Sequence, residues 1–186
     1  MTCPSVLPEY QKRTIAQIVR GENMDDIRNY IAAGRVDEQD ENGSSAIMWC
    51  AWHGTVEIAR LLVKSKADLN IQDERGSTAL ISCAVNGTVE VAKLLVESKA
   101  NLDIQDELGR TALMFCAWHD TVEIARLLVE SKADLDIQNR EGFTALLSCA
   151  LHGRVEIARL LVESKATLDI QNKPLQQYSN VEGIYT

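Results

Sequence analysis

Three Cys-x-x-His pairs carry the most chemical promise in this chain: Cys50 with His53, Cys116 with His119 and Cys149 with His152. A thiolate and an imidazole three residues apart share one side of a helical turn, so each pair could hold two sites of a zinc ion. A structural zinc takes four ligands at roughly 2.0–2.3 Å. The pairs sit on repeated segments, and packed helices keep their axes about 8–10 Å apart, too far for two pairs to share one ion. The expected role of each cysteine is a buried structural thiol, and no metal or other cofactor is expected. Catalytic chemistry has no better footing. No Gly-rich phosphate loop, nucleophile elbow or concave pair of carboxylates can be found, so an enzyme is not expected.

Four of the five cysteines (Cys50, Cys83, Cys116, Cys149) occupy one position of an internal repeat. A disulfide needs Cα atoms within about 7 Å, closer than equivalent points on neighbouring helices. The thiols should stay reduced, which suits a cytoplasmic or nuclear protein. The start, MTCPSVLPEYQKR, lacks the apolar core of a signal peptide, and no apolar run approaches a membrane span. The Asn42-Gly43-Ser44 and Asn86-Gly87-Thr88 sequons are therefore expected to stay bare.

What positions these residues is a period of 33, marked by Gly43, Gly76, Gly109 and Gly142. Within one period, residues 45–52 predict a short helix that Gly54 can end. A second helix should run from Val56 to about Ser65, with Ile58, Leu61 and Leu62 on one face. Thr55, Thr88 and Thr121 are its expected N-caps, with Arg154 the exception. Residues 67–76 then read as an extended stretch and a turn. One such pair leaves its flanks apolar, and stacking near-identical neighbours covers them.

These units resemble the ankyrin repeat family in period and in order: a Thr-led tetrapeptide, a small-residue helix, Gly, Val-Glu-Ile, Leu-Leu, then Ala-Asp-Leu-Asn. The resemblance implies an all-α solenoid of stacked helix-turn-helix repeats with extended hairpin tips. Its segments would be an N-terminal extension (1–13), a degenerate capping repeat (14–42), repeats over 43–75, 76–108, 109–141 and 142–173, and a non-repeat tail (174–186). The family's Thr-Pro-Leu-His appears as Ser45-Ala46-Ile47-Met48, Thr78-Ala79-Leu80-Ile81, Thr111-Ala112-Leu113-Met114 and Thr144-Ala145-Leu146-Leu147. Without the proline, the helix start should rest on the Ser/Thr cap, and without the histidine, apolar packing should replace a polar link between repeats. The Gly that closes the family's second helix is Lys66, Lys99, Lys132 or Lys165. A left-handed conformation there would cost roughly 1–2 kcal/mol each.

The resemblance also implies where a partner would bind. First helices line a groove, and the two residues before the helix-ending position meet the ligand. Here those are Trp52-His53, Val85-Asn86, Trp118-His119 and Leu151-His152. From the tips, Arg75, Ser77, Leu108, Arg110 and Phe143 should join them, beside Glu74, Glu107, Arg140 and Glu141. Exposed Trp and Arg dominate binding hot spots. Trp49 and Phe115 are expected to pack between helices instead. The acidic runs at 37–41 and 103–107 should be solvated tips whose charge could steer a basic partner segment. Glu57–Arg60, Glu90–Lys93, Glu123–Arg126 and Glu156–Arg159 should pair along the second helices.

A formal charge of −8 argues against nucleic acid and against an anionic membrane as partners. The leading expectation is a non-enzymatic module that binds a protein segment along the groove. Two others compete with it: self-assembly into a homodimer, weak beside a monomeric state, through the uncapped last repeat, and service as an inhibitory subunit of an enzyme. In the tail, Tyr178-Ser179-Asn180-Val181 resembles a phosphotyrosine docking motif, while Leu175, Tyr178, Val181 or Ile184 could fold over the last repeat.

Overall fold

The computed structural model describes residues 15–21 and 23–168. The tail sequences singled out above lie outside them. The described residues form ten helices and no strand, apart from an isolated bridge between Gln39 and Ser45. The helices come in antiparallel pairs: α1 (Ile15–Arg20) with α2 (Met24–Ala32), α3 (Ala46–His53) with α4 (Val56–Lys64), α5 (Ala79–Asn86) with α6 (Val89–Glu97), α7 (Ala112–His119) with α8 (Val122–Glu130), and α9 (Ala145–His152) with α10 (Val155–Glu163). First helices pack on first helices down the row, and second helices on second helices. This is the all-helical solenoid that the sequence period predicts.

The core is a column rather than a centre. Ala46, Ile47, Cys50 and Ala51 from α3 and their counterparts in α5 and α7 are buried, as are Ile58, Ala59 and Leu62 from α4 and theirs in α6 and α8. Small residues on the first helices let neighbours approach. Leu62, Leu95 and Leu128, fully buried, each contribute about 1.5–3 kcal/mol of transfer free energy. Each second helix ends in a Schellman turn: Lys66 N–H donates to the Val63 carbonyl and Ala67 N–H to the Leu62 carbonyl. Lys66, Lys99, Lys132 and Lys165 do carry the left-handed φ, between 63° and 70°. Their ammonium groups lie near helix C-termini, where positive charge recovers part of the strain.

Two of the expected second-helix caps fail because their hydroxyls bond to the preceding repeat instead. Thr88 and Thr121 do stand at the start of α6 and α8, but neither hydroxyl caps its helix. Thr88 Oγ1 donates to the Ala51 carbonyl at 2.6 Å and Thr121 Oγ1 to the Ala84 carbonyl at 3.0 Å. Arg154 replaces the threonine in the last unit, and its guanidinium reaches the Trp118 carbonyl at 3.1 Å, one residue beyond the equivalent Ala117. Thr55 makes no such bond, and its buried hydroxyl has no hydrogen-bond partner. The first-helix caps hold at Thr78, Thr111 and Thr144, and at Ser45 a capping box forms in which Ser45 N–H donates to Met48 Sδ at 3.5 Å.

Nor does apolar packing alone join the repeats. Gln72 Nε2 bridges from its own tip to the Gln105 carbonyl at 3.0 Å, and Gln105 repeats this toward Gln138. Asp37, Asn70, Asp103 and Asp136 each accept the backbone N–H of the residue 31 positions later. The expected Glu123–Arg126 pair is replaced by a contact from Arg126 to Glu156 of the next unit at 3.8 Å, while Glu57–Arg60 and Glu90–Lys93 form as expected.

The tips are built identically. Asp73 Oδ1 accepts the N–H groups of Arg75 and Ser77, closing an Asx turn around Gly76. Gly76 sits at φ +74°, and a Cβ on it would lie 2.8 Å from the Glu107 nitrogen of the next tip. That close approach permits the Glu107 N–H to reach the Arg75 carbonyl at 3.0 Å.

Candidate binding groove

Trp52, Val85, Trp118 and Leu151 fall at one position near the ends of α3, α5, α7 and α9, so stacking sets them in a row. Trp52 is 53% exposed, Trp118 50% and Leu151 68%, while Val85 is half-buried. The residues after them behave differently from one another. His53, Asn86 and His119 are exposed, and Asn86 donates to the Ser82 carbonyl of its own helix at 2.8 Å. His152 lies against Trp118, with ring centroids 5.1 Å apart, and its Nδ1–H donates to the Ser148 carbonyl. The stack bridges α7 and α9 and fixes one face of the Trp118 indole.

Trp49 and Phe115 lie one helical turn deeper and pack as expected. Phe115 is buried and Trp49 half-buried. They also show how one register is served by two chemistries. The Trp49 Nε1–H donates to Asp40 Oδ2 at 2.9 Å. Phe115 has no donor to offer the equivalent Asp106, and Arg110 fills the gap. Its Nε and Nη2 both donate to Asp106 Oδ2, at 2.8 and 2.6 Å, with the guanidinium 4.5 Å above the Phe115 ring. Asp106 is a correction to the expectation of solvated tips: its side chain is 2% exposed. Burial is tolerated because Asp106 also accepts the N–H groups of Leu108 and Arg110.

Arg110 separates two clefts. The larger, about 500 Å³, is walled by first-helix and tip residues, among them Arg20, Trp49, Trp52, Arg75, Ser77, Val85, Phe115 and His119. The smaller, about 60 Å³, lies between Phe115, Trp118, Phe143, Leu151 and His152. Of the residues singled out from sequence, His53, Asn86, the 52%-exposed Leu108, Glu74, Glu107 and Arg140 line neither. Arg20 was missed, yet its signal was present: it stands 33 residues before His53, so running the period backwards finds it. Its guanidinium lies 5.0 Å from the Trp49 ring centroid.

The Cys-x-x-His pairs are split by the packing. Cys50, Cys83, Cys116 and Cys149 are sealed in the column, while His53 and His119 face outward. Among the described residues, no group of three or more His, Cys, Asp or Glu side chains could hold a metal ion. Desolvation pushes the thiols of Cys50, Cys83 and Cys116 up to about 12 and that of Cys149 up to about 11.

The family model described as three copies of ankyrin repeats matches residues 15–106 and again 98–172. The chain belongs to the ankyrin repeat family. Ankyrin repeats generally mediate protein–protein interaction and are typically non-catalytic. No curated protein matches the sequence. Among the described residues, no helix of this ankyrin stack is long and apolar enough to cross a membrane.

Proposed function

We propose that this ankyrin array is a non-enzymatic binding module that holds a segment of another protein along the groove formed by α3, α5, α7, α9 and their tips. The observation that carries the reading is the pair of half-exposed indoles, Trp52 and Trp118, two repeats apart on one wall. Solvent-facing aromatics of this size on a rigid frame are typical hot-spot anchors. Stacked repeats lose little conformational freedom on binding, so few anchors suffice. Replacing both tryptophans by alanine should cut partner capture by at least about tenfold, equivalent to 1.4 kcal/mol, with the melting transition nearly unchanged. Parallel loss of folding would make them core residues and defeat the proposal.

Self-assembly keeps one supporting observation. Val155, Val162 and Leu168 of the last repeat are 68%, 47% and 67% exposed, an apolar surface of the kind that ankyrin stacking normally covers. Sedimentation velocity across a concentration series tests this second reading, and a constant monomer mass would end it.

A further inference from the structure

The larger cleft is charged against the grain of the molecule. The chain as a whole carries −8, yet the cleft wall presents three guanidinium groups, from Arg20, Arg75 and Arg110, against one carboxylate, Asp73. Asp73 is occupied with the N–H groups of Arg75 and Ser77. Arg110 is neutralised by Asp106. Arg20 and Arg75 are paired with no carboxylate among the described residues. The expectation of a basic partner rested on the acidic runs, and the structure puts those carboxylates elsewhere. Asp106 is buried, Asp103 and Asp37 hold the Asp134 and Asp68 N–H groups, Asp40 accepts from Trp49, and Glu38, Glu41 and Glu107 line neither cleft. The reason is local. Asn42 and Ser44 around Gly43, and Arg75 and Ser77 around Gly76, line the larger cleft, whereas Glu41 and Glu74 stand two positions before those glycines.

On the groove reading above, we infer that the segment bound there is acidic: an extended peptide whose Asp or Glu carboxylate meets Arg75, with bulky apolar side chains on either side to cover Trp52 and Trp118. Arg20, one repeat before Trp52, adds positive charge at that end of the cleft. Guanidinium groups bind carboxylates in a bidentate fork. Repeats about 10 Å apart place Trp52 and Trp118 roughly 20 Å from one another. An extended chain covers that distance in about six residues. The inferred pattern is therefore apolar, acidic, apolar, with the outer two about six residues apart. A cationic cleft on an anionic body also selects by repulsion, because basic segments are drawn to the outer glutamates and away from the groove.

Selection of random peptides about 12 residues long on the full chain, long enough to cross two repeats when extended, provides the probe. The enriched sequences should contain an acidic residue between apolar ones. A synthetic peptide of that consensus, titrated by fluorescence anisotropy, should lose at least about tenfold in affinity to Arg75→Glu. It should lose several-fold to Arg75→Gln, and a similar amount when its own acidic residue becomes the amide. Binding should also weaken as salt rises from about 0.05 to 0.5 M. Peptides that are neutral or basic at every position overturn the inference, as does an affinity indifferent to both Arg75 variants. If such peptides are still lost on Trp52→Ala, the groove stands and only its charge preference falls. Binding that survives the Arg75 and Trp52 changes alike, or the absence of any enriched sequence, removes the groove as well.

Discussion

Replacing Gly76 by alanine tests whether the tips are held by backbone contact between repeats, and Gly87→Ala is its control. Both glycines are left-handed, at φ +74° and +71°. Alanine therefore meets the same strain at each, roughly 1–2 kcal/mol. Reduced freedom of the unfolded chain offsets about 0.4–1 kcal/mol of that. The net cost of Gly87→Ala should be near 1 kcal/mol, because its new Cβ would touch only the Thr121 methyl at 3.7 Å. The chain itself supports this, since Asp120 fills the matching position of the third repeat at φ 62°.

Gly76 differs in what stands opposite. Its Cβ would lie 2.8 Å from the Glu107 nitrogen and 3.0 Å from the Asp106 Cα and carbonyl carbon. Those are backbone atoms, pinned by the Asp106 turn and by the bond from Glu107 N–H to the Arg75 carbonyl. They cannot step aside as a side-chain tip would. Overpacking of this kind costs about 1–3 kcal/mol, so Gly76→Ala should exceed its control by that amount. For a chain of this length, each kcal/mol moves the melting temperature by about 2–4 °C. Urea titrations followed by circular dichroism should give equal slopes and separated midpoints. If the two variants agree within about 0.5 kcal/mol, the tip contact carries no energy and the reasoning fails.

The inter-repeat threonine bonds make a second contrast. Thr88→Val and Thr121→Val strand the Ala51 and Ala84 carbonyls and should each cost about 1–3 kcal/mol, whereas Thr55→Val removes an unpartnered hydroxyl and should stay within about 0.5 kcal/mol of wild type in urea unfolding. The buried thiols set an alkaline limit. Their folded values, about 12 for Cys50, Cys83 and Cys116 and about 11 for Cys149, lie above the ordinary 9.0, so the unfolded chain releases protons first. Stability should be level below about pH 8 and fall between pH 9 and 12, by up to about 1.4 kcal/mol per pH unit for each thiol. Cys83→Ala should make that slope shallower, and an unchanged slope would assign it to other groups. Arg110→Met should cost about 1–3 kcal/mol by leaving buried Asp106 without its charged donors. It should also alter Trp118 fluorescence, since the guanidinium lies 5.9 Å from that ring. Arg110→Lys should recover less than half, because an ammonium cannot bridge Asp106 and the Phe115 face together.

The period was legible because stacking forces identical faces to recur, and any reader of Gly43, Gly76, Gly109 and Gly142 meets it. The uses of individual polar groups were not. The Thr88 hydroxyl can satisfy a local rule, capping α6, or a distant one, bonding to Ala51. Both use the same atom, and only the distance between repeats decides. Asp103 and Asp106 fall in one acidic run and look alike. Asp106 is buried because the residue after its tip glycine is Arg110, where the tip of Asp73 has Ser77 and the tip of Asp40 has Ser44. Arg20 escaped notice because its unit departs from the pattern around it, and the exposed end position survives there only as a register.

Division of labour within the period follows from the same geometry. Positions that touch the next repeat, such as Leu62, Cys83 and Gly109, barely vary between units, because a change at one must suit two neighbours. Positions that end the first helix or flank the tip glycine vary freely. Trp, Val, Trp and Leu fill one of them, and Ser, Ser, Arg and Phe another. A side chain that faces solvent on the inner wall has fewer neighbours to suit than one in the column, so its identity is freer to answer to a ligand. Stability and recognition are thus written at separate positions of the repeat. The groove can be altered one side chain at a time with little change in the stack, and Arg110, which faces the groove but is anchored in the wall by Asp106, is where the two cannot be separated.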